Sequence, residues 1–307
     1  MPDWTQISDQ LHAATGVSLR VASARPVGGG CISSAFVLEG AVDGVSYFVK
    51  IHRAAGLSMF EAEQEGLLEL AKSGGLRVPD ALHCGISRDD AYLVMEYVPL
   101  KNTGDDELLG EGLAAMHRYE PQTVESQASS TGSGQGRFGW HRDNTIGSTP
   151  QLNDWTDDWV SFWAEQRLGY QLRLAATNGA GQAFVRRGEK LQAALPSFFT
   201  DYRPAASLLH GDLWSGNYAF DETGRPVIFD PAVYFGDREA DMAMTELFGG
   251  FSSRFYDAYQ AAWPLDAGYA TRKTLYNLYH ILNHFNLFGG GYLSQAQGMV
   301  DRLLAEC

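Results

Sequence analysis

Cysteine is scarce in this chain, and its three residues, Cys31, Cys84 and Cys307, fall at unrelated spacings. An odd, scattered set gives no disulfide framework and carries no zinc-site spacing. Positive charge is also short: 23 Lys and Arg face 37 Asp and Glu, for a formal net charge of −14. A nucleic-acid partner is therefore not expected, because a phosphate backbone needs a basic footprint. A small anionic ligand remains open, since a few placed cations and backbone N–H groups hold phosphates locally. No apolar run approaches the length of a membrane-spanning helix. The opening Met1–Gln6 has neither the basic region nor the apolar stretch of a secretory signal. These absences predict a reduced, cytoplasmic protein with no membrane partner; they leave the oligomeric state open.

What is present is a large apolar fraction, 45% of 307 residues, enough for a sizeable core without metals or disulfides. The first third reads as a β-rich lobe. Leu19–Val27, Ala35–Glu39 and Val45–His52 have strand character, the last two joined through the turn Asp43-Gly44. In the third strand Val45, Tyr47, Val49 and Ile51 share one face, which sends Phe48 and Lys50 to the other. A helix is expected over Met59–Ala71, stopped by Ser73-Gly74-Gly75, and a buried strand over Tyr92–Val98 runs into Pro99. The rest is mostly helical, with helices expected at Asp105–Tyr119, Trp155–Ala175, Gln182–Leu195, Met242–Phe248 and Thr271–Phe288. A β-like island, Ser207–Asp230, interrupts them, and Ser126–Gly136 is Ser- and Gly-rich, with the composition of a surface loop. The expected architecture is bilobal α+β, with an N-lobe over 1–98 and a mainly helical C-lobe over 99–307.

The strongest chemical signal is His210-Gly211-Asp212-Leu213-Trp214-Ser215-Gly216-Asn217 followed by Val227-Ile228-Phe229-Asp230-Pro231. Phosphoryl transfer needs an oxygen to take the proton of the attacking hydroxyl, and oxygen ligands for Mg²⁺ at the triphosphate. Asp212 suits the first role, and Asn217 and Asp230 suit the second. The Asp-to-Asn step matches the kinase pattern H-R-D-x-x-x-x-N, with Asp230 in place of the D-F-G aspartate. Gly211 stands where protein kinases carry Arg, and Pro231 where they carry Phe, which points away from protein substrates controlled by an activation loop. A polar hairpin turn would explain any one of these residues, but not three in the right order.

Lys50 is the second signal, because a lysine facing the inside of a sheet is costly unless it meets an anion. In the kinase arrangement it contacts ATP phosphates and pairs with a helix glutamate. Helical spacing puts Glu63 on one side with Met59, Gly66, Leu67 and Leu70, while Glu61 lies with Glu65 and Lys72. Glu63 is therefore the expected partner. Gly28, Gly29 and Gly30, between two strands and ahead of Lys50, would let backbone N–H groups approach phosphate. Cys31 follows them: it reads equally as an oxidation-sensitive thiol in an exposed loop and as a small inert residue.

Taken together the chain resembles the fructosamine (ketosamine) kinases, a branch of the kinase-like fold that includes aminoglycoside and choline kinases. The resemblance is carried by Gly28–Ser33, Phe48–Lys50, Met59–Glu63, Asp143–Gln151, Leu208–Asn217, Phe229–Phe251 and Leu275–Tyr292, in order along the chain. It implies ATP–Mg²⁺ in the cleft and transfer of phosphate to the 3-hydroxyl of a sugar–amine adduct, whose product then releases the amine. It also implies a hinge at Glu96 and Val98 whose backbone binds adenine, and an aspartate, Asp241, that braces the catalytic loop. Trp214 is expected to pack on the sugar, and His284 to line the acceptor pocket, although core packing explains either. His117 is expected to be a satisfied core histidine, and His141, Asp143 and Asn144 read either as a cap on the acceptor site or as a loop folded over the helical lobe. Two alternatives stay open at this level: a kinase for another small hydroxyl compound, such as an aminoglycoside or amino alcohol, and a nucleotide-binding pseudokinase.

Overall fold

A computed structural model describes residues 2–28, 33–41, 44–120 and 137–307. Gly29, Gly30, Cys31 and the Ser126–Gly136 stretch lie outside the described residues. The chain divides into two compact units: Met1–Asp105 with Tyr218–Pro231, and Asp106–Asn217 with Ala232–Cys307.

The first unit opens with α1 (Trp4–Thr15), whose start is fixed by the Asp3 carboxylate accepting from the Gln6 N–H at 3.1 Å. Gly16, at φ 76°, ends it in the left-handed conformation that glycine adopts most easily. Five strands follow: β1 (Val21–Val27), β2 (Ser34–Gly40), β3 (Ser46–Arg53), β4 (Ala81–Ser87) and β5 (Asp90–Glu96). They form one antiparallel sheet in the order β1-β2-β3-β5-β4. Alternation along β3 buries Tyr47, Val49 and Ile51 with Leu38, Tyr92 and Val94 against Ile7 and Leu11 of α1. Each fully buried aliphatic side chain of this kind contributes about 1.5–3 kcal/mol. Gln6 and Gln10 clip α1 to the sheet, accepting from the Ser87 and Tyr92 hydroxyls at 2.8 and 2.7 Å.

Between β3 and β4 runs α2 (Leu57–Ser73), which buries Phe60, Ala62, Gly66, Leu67 and Leu70 and packs on β4 and β5. The short hairpin Tyr218–Phe220 and Pro226–Ile228 also belongs to this unit. Main-chain bonds hold it there: Lys101 and Phe220 exchange two, at 2.7 and 2.9 Å, and Ile228 N–H donates to the Arg77 carbonyl at 3.0 Å.

The second unit is helical, built from Asp106–His117, Gln182–Ala194, Glu239–Leu247, Ser253–Ala262, Tyr269–Phe288, Tyr292–Ala305 and one longer composite helix. The composite runs from Trp159–Phe162 through a π-helical segment, Trp163–Gly169, into Tyr170–Thr177. Its Arg167 is fully buried, with the guanidinium 4.1 Å over the Tyr234 ring and 4.6 Å over Phe162. Arg167 also donates to the Leu152 carbonyl and to Asn153 Oδ1 at 2.5 and 2.7 Å, so the buried cation is bonded as well as stacked. Tyr269–Phe288 is the central helix and is buried around its middle from Leu275 to Asn283. At its start Arg272 makes a two-pronged pair with Glu239, at 2.7 and 3.0 Å, and reaches Asp266 at 2.7 Å. Among the described residues no helix is long and apolar enough to cross a membrane.

The elements depart from the sequence reading in identifiable places. Val45 lies outside β3 and is exposed, and β5 ends at Glu96, so Tyr97 and Val98 are not strand. The buried stripe of α2 begins at Phe60, and Met59 is only partly covered. α1, β4, Ser253–Ala262 and Tyr292–Ala305 were not anticipated from the sequence.

Arg272→Met should leave Glu239 as a buried carboxylate without its cation and cost about 3–5 kcal/mol in urea unfolding. Lys273→Met, which opens the more exposed pair with Glu246, should cost less than about 1 kcal/mol in the same measurement.

Candidate functional site

In the first unit Lys50 lies on the face of β3 opposite the α1 core, and its ammonium is 2.5 Å from both Glu63 Oε1 and Asp230 Oδ1. The phase of α2 determines which glutamate is used: Glu63 is turned to the sheet with its side chain 11% exposed. Burial works against the ammonium form of Lys50, but Asp230 and Glu63 together hold its pKa above the ordinary lysine value. Burial pushes the Glu63 carboxyl up, with Lys50 acting against it and Asp230 acting with it.

Asp230 follows the strand Pro226–Ile228 and stands at φ 57°, a left-handed conformation for a non-glycine residue. Pro231 follows it and restricts the same residue further, since the pyrrolidine ring disfavours the right-handed helical region for the residue before it. Strain of this kind costs about 1–3 kcal/mol and collects where function fixes a side chain. The ion pair with Lys50 is one interaction that holds it, while the Asp230 side chain keeps 48% of its surface exposed.

The hinge residues of the sequence reading lie at the end of β5. Glu96 is held on two sides: its carboxylate takes Arg77 Nη2 at 2.6 Å, and its N–H donates to the Asp80 carbonyl at 2.9 Å. Val98 is buried. Gly28 is exposed, and a Cβ there would meet nothing, so its own surroundings impose no need for glycine.

In the second unit the pair Ala206–Leu209 and Tyr234–Asp237 carries the loop from His210 to Asn217. The Asp241 carboxylate, on the helix Glu239–Leu247, accepts the N–H groups of His210 and Gly211 at 2.7 and 2.8 Å. His117 supports it from behind, with Nε2 3.2 Å from Asp241 and Nδ1 2.8 Å from the Tyr259 hydroxyl. Burial pulls the His117 pKa down, so the imidazole is the neutral form that donates to Asp241 and accepts from Tyr259. Burial alone would raise Asp241; His117, the charge field of His210 and the Gly211 N–H outweigh it and hold the carboxyl below its ordinary range. His117 is thus a core histidine with a positioning task.

Gly211 explains one departure from protein kinases. It stands at φ 80°, and a Cβ would come within 2.0 Å of the Ala232 carbonyl oxygen. No side chain fits there while His210 accepts from the Ala232 N–H at 2.8 Å. Beyond it, the Asn217 amide donates to the Asp212 carbonyl at 2.9 Å and to its carboxylate at 3.2 Å. That orientation turns the amide oxygen of Asn217 away from Asp212. Hard oxygen donors of this type suit magnesium, which keeps waters and phosphate oxygens and takes few protein ligands. No cluster of three or more His, Cys, Asp or Glu suited to a metal occurs among the described residues.

Trp214 and His284 are linked through a residue the sequence reading did not single out. Trp214 folds over Gly216, where a Cβ would lie 2.3 Å from the indole, and meets Phe248 edge-on at 6.4 Å. Phe248 packs on His284 at 5.1 Å, and His284 on Tyr292 at 5.1 Å. Trp214 and Phe248 are 38% and 43% exposed, so their rings present aromatic surface. The His284 Nδ1–H donates to the His280 carbonyl at 2.8 Å, so that ring nitrogen is engaged within the helix. Phe248 closes the helix read from sequence as Met242–Phe248, and an apolar residue at a helix end gives no separate signal. Asn144 is buried and donates to the Val233 carbonyl at 2.8 Å, and Asp143 accepts the Asn153 N–H, so both are engaged within the helical unit.

The family model described as fructosamine kinase matches residues 3–306. A probable ketoamine kinase of Synechocystis is 46% identical over 307 residues, 98% of this chain and 97% of that one. A chloroplastic protein-ribulosamine 3-kinase of Arabidopsis thaliana is 41% identical over 94% of this chain and 85% of its own length. The crystal structure of a putative fructosamine-3-kinase from Thermobifida fusca is similar with a TM-score of 0.82 at 33% identity, covering 99% of this chain and 100% of that one. Kinase-like phosphotransferases share the fold alone, at 12% identity and a TM-score of 0.64.

Glu63→Gln should loosen Lys50 and reduce turnover roughly 10–100-fold, as loss of a supporting partner does elsewhere. Glu61→Gln should stay within about two-fold, since Glu61 is not the glutamate on Lys50. Steady-state kinetics of the two variants checks this, and equal losses would contradict the geometry.

Proposed function

The chain belongs to the fructosamine kinase family, and from that premise we propose that it transfers the γ-phosphate of ATP to the 3-hydroxyl of a ketosamine of the fructosamine or ribulosamine type. The observation that carries the phosphotransfer chemistry is Lys50 held at 2.5 Å by both Glu63 and Asp230. A cation fixed between two carboxylates is pre-positioned for phosphate oxygens without a reorganisation step.

In this reading Lys50 binds the triphosphate, and the backbone at Glu96 and Val98 holds the adenine. Gly28 offers its main-chain N–H to the phosphates. Asp212 accepts the proton of the attacking hydroxyl as its oxygen bonds to the γ-phosphorus and ADP leaves. The Asn217 amide orients that carboxylate, and Asn217 and Asp230 would supply oxygen ligands for magnesium. Magnesium, when bound, neutralises charge on the phosphates. Trp214 and Phe248 offer aromatic faces to the sugar, and His284 Nε2 accepts from a hydroxyl or ammonium of the acceptor. The phosphorylated ketosamine then releases its amine, so the net effect is deglycation. A cytoplasmic location suits an enzyme whose partners are small molecules, without nucleic acid or membrane.

Phosphate transfer measured against fructosamines, ribulosamines and erythrulosamines, with mass analysis of the product, tests the substrate class. The expected result is a monophosphorylated ketosamine and free amine. Faster transfer to aminoglycosides or amino alcohols would move the enzyme to another acceptor class, and no transfer to any of them would leave a binding module.

Asp212→Asn should retain ATP binding and fold while turnover falls on the order of 10²–10⁴-fold. Near-normal turnover in a folded Asp212→Asn variant would remove Asp212 from the role of base.

A further inference from the structure

Two strands of the first unit bear on the nucleotide: β5, which ends at Glu96, and the strand Pro226–Ile228, which leads to Asp230. One residue, Arg77, joins the end of β5 to the hairpin that contains the second strand. Arg77 Nη2 donates to Glu96 Oε1 at 2.6 Å, and its Nη1 donates to Asp221 Oδ2 at 2.7 Å. Asp221 uses its other oxygen to build the hairpin turn, accepting from the Thr223 N–H, the Thr223 hydroxyl and the Arg225 N–H at 2.9, 2.6 and 3.1 Å. The Arg77 main chain joins the same hairpin, since its carbonyl accepts the Ile228 N–H at 3.0 Å. Ile228 is two residues from Asp230. Lys50 holds the far end of that strand through Asp230.

We infer that Arg77 is a positioning residue for nucleotide binding, fixing the distance between the adenine-holding backbone after Glu96 and the carboxylate of Asp230. The inference rests on the reading of Glu96, Val98 and Asp230 as the nucleotide site. A planar guanidinium suits the task because its fork fixes two carboxylates at one separation, which the point charge of lysine does not. The Arg77 and Glu96 side chains are both 34% exposed, so that pair contributes little to global stability, and the buried Asp221 carboxylate keeps its Thr223 and Arg225 donors when Arg77 is lost. The effect of losing Arg77 therefore falls on nucleotide geometry more than on folding.

Calorimetry of Mg–ATP binding to the full chain tests this. Arg77→Met should raise the dissociation constant for ATP on the order of ten-fold, with the KM for ATP rising in step. The KM for the acceptor should stay within about two-fold, and the melting temperature should fall by no more than a few degrees, roughly the effect of an exposed pair. Arg77→Lys should recover part of the affinity. Should Arg77→Met fail to fold, Glu96→Gln and Asp221→Asn each remove one arm, and each should raise the ATP dissociation constant by a smaller factor. Unchanged ATP affinity in a folded Arg77→Met variant, or in both single-arm variants, would overturn the inference, as would a large fall in melting temperature with affinity intact. Because the readout is nucleotide binding, a chain that phosphorylates no ketosamine but loses ATP affinity with Arg77 would sink the substrate reading and leave this one standing.

Discussion

An ammonium group on the inner face of a sheet imposes a condition on everything around it. Lys50 reaches that face because β3 alternates, and the alternation is enforced by the apolar contacts of Tyr47, Val49 and Ile51 with α1 and the neighbouring strands. Once there, it must be met by negative charge. Glu63 and Asp230 both arrive at 2.5 Å, one from the helix that follows β3 and one from a hairpin 180 residues further along the chain. The folded first unit thus requires a segment from late in the sequence, and the charge balance around Lys50 is one reason the hairpin Tyr218–Ile228 belongs to it. The left-handed backbone at Asp230 is tolerated within the same arrangement.

The helical unit meets a comparable demand with hydrogen bonds. The loop that carries Asp212 and Asn217 does not satisfy all of its own backbone, and the consecutive N–H groups of His210 and Gly211 end on the two oxygens of one buried carboxylate. Asp241 remains ionised in the interior because His117 donates to it from the opposite side. Tyr259 orients His117 and also receives a guanidinium N–H from Arg238 at 3.0 Å. The loop's geometry is therefore set by buried groups outside the loop itself.

Much of this is written in local patterns and some of it is not. The β3 alternation, the phase of α2 that selects Glu63, and the glycine stop at Gly74 follow from period and cap chemistry. The role of Gly211 is visible as a departure from a motif, but its cause, the Ala232 carbonyl 2.0 Å from a would-be Cβ, is a contact between strand ends that no window contains. The same holds for Arg77, which has no apolar period or motif and acquires meaning only when Glu96 and Asp221 are brought to it. Strand β4 was missed because His83, Cys84 and Gly85 break the strand pattern, and their neighbours across β5 supply the pairing that propensity does not. Tyr292–Ala305 opens after Gly289-Gly290-Gly291, a punctuation that reads as a terminus although a helix follows.

The closed space at Gly211 also bears on how such an enzyme can be governed. Kinases that respond to their own phosphorylation use arginines to recognise the new phosphate and order a loop around it. Here an arginine cannot be installed beside His210 without first moving the Ala232 carbonyl, and that carbonyl's own residue is bonded back to His210. A single codon change at this position yields a broken loop instead of a regulated one. The segment from His210 to Asn217 is in this sense locked out of one evolutionary route to signalling.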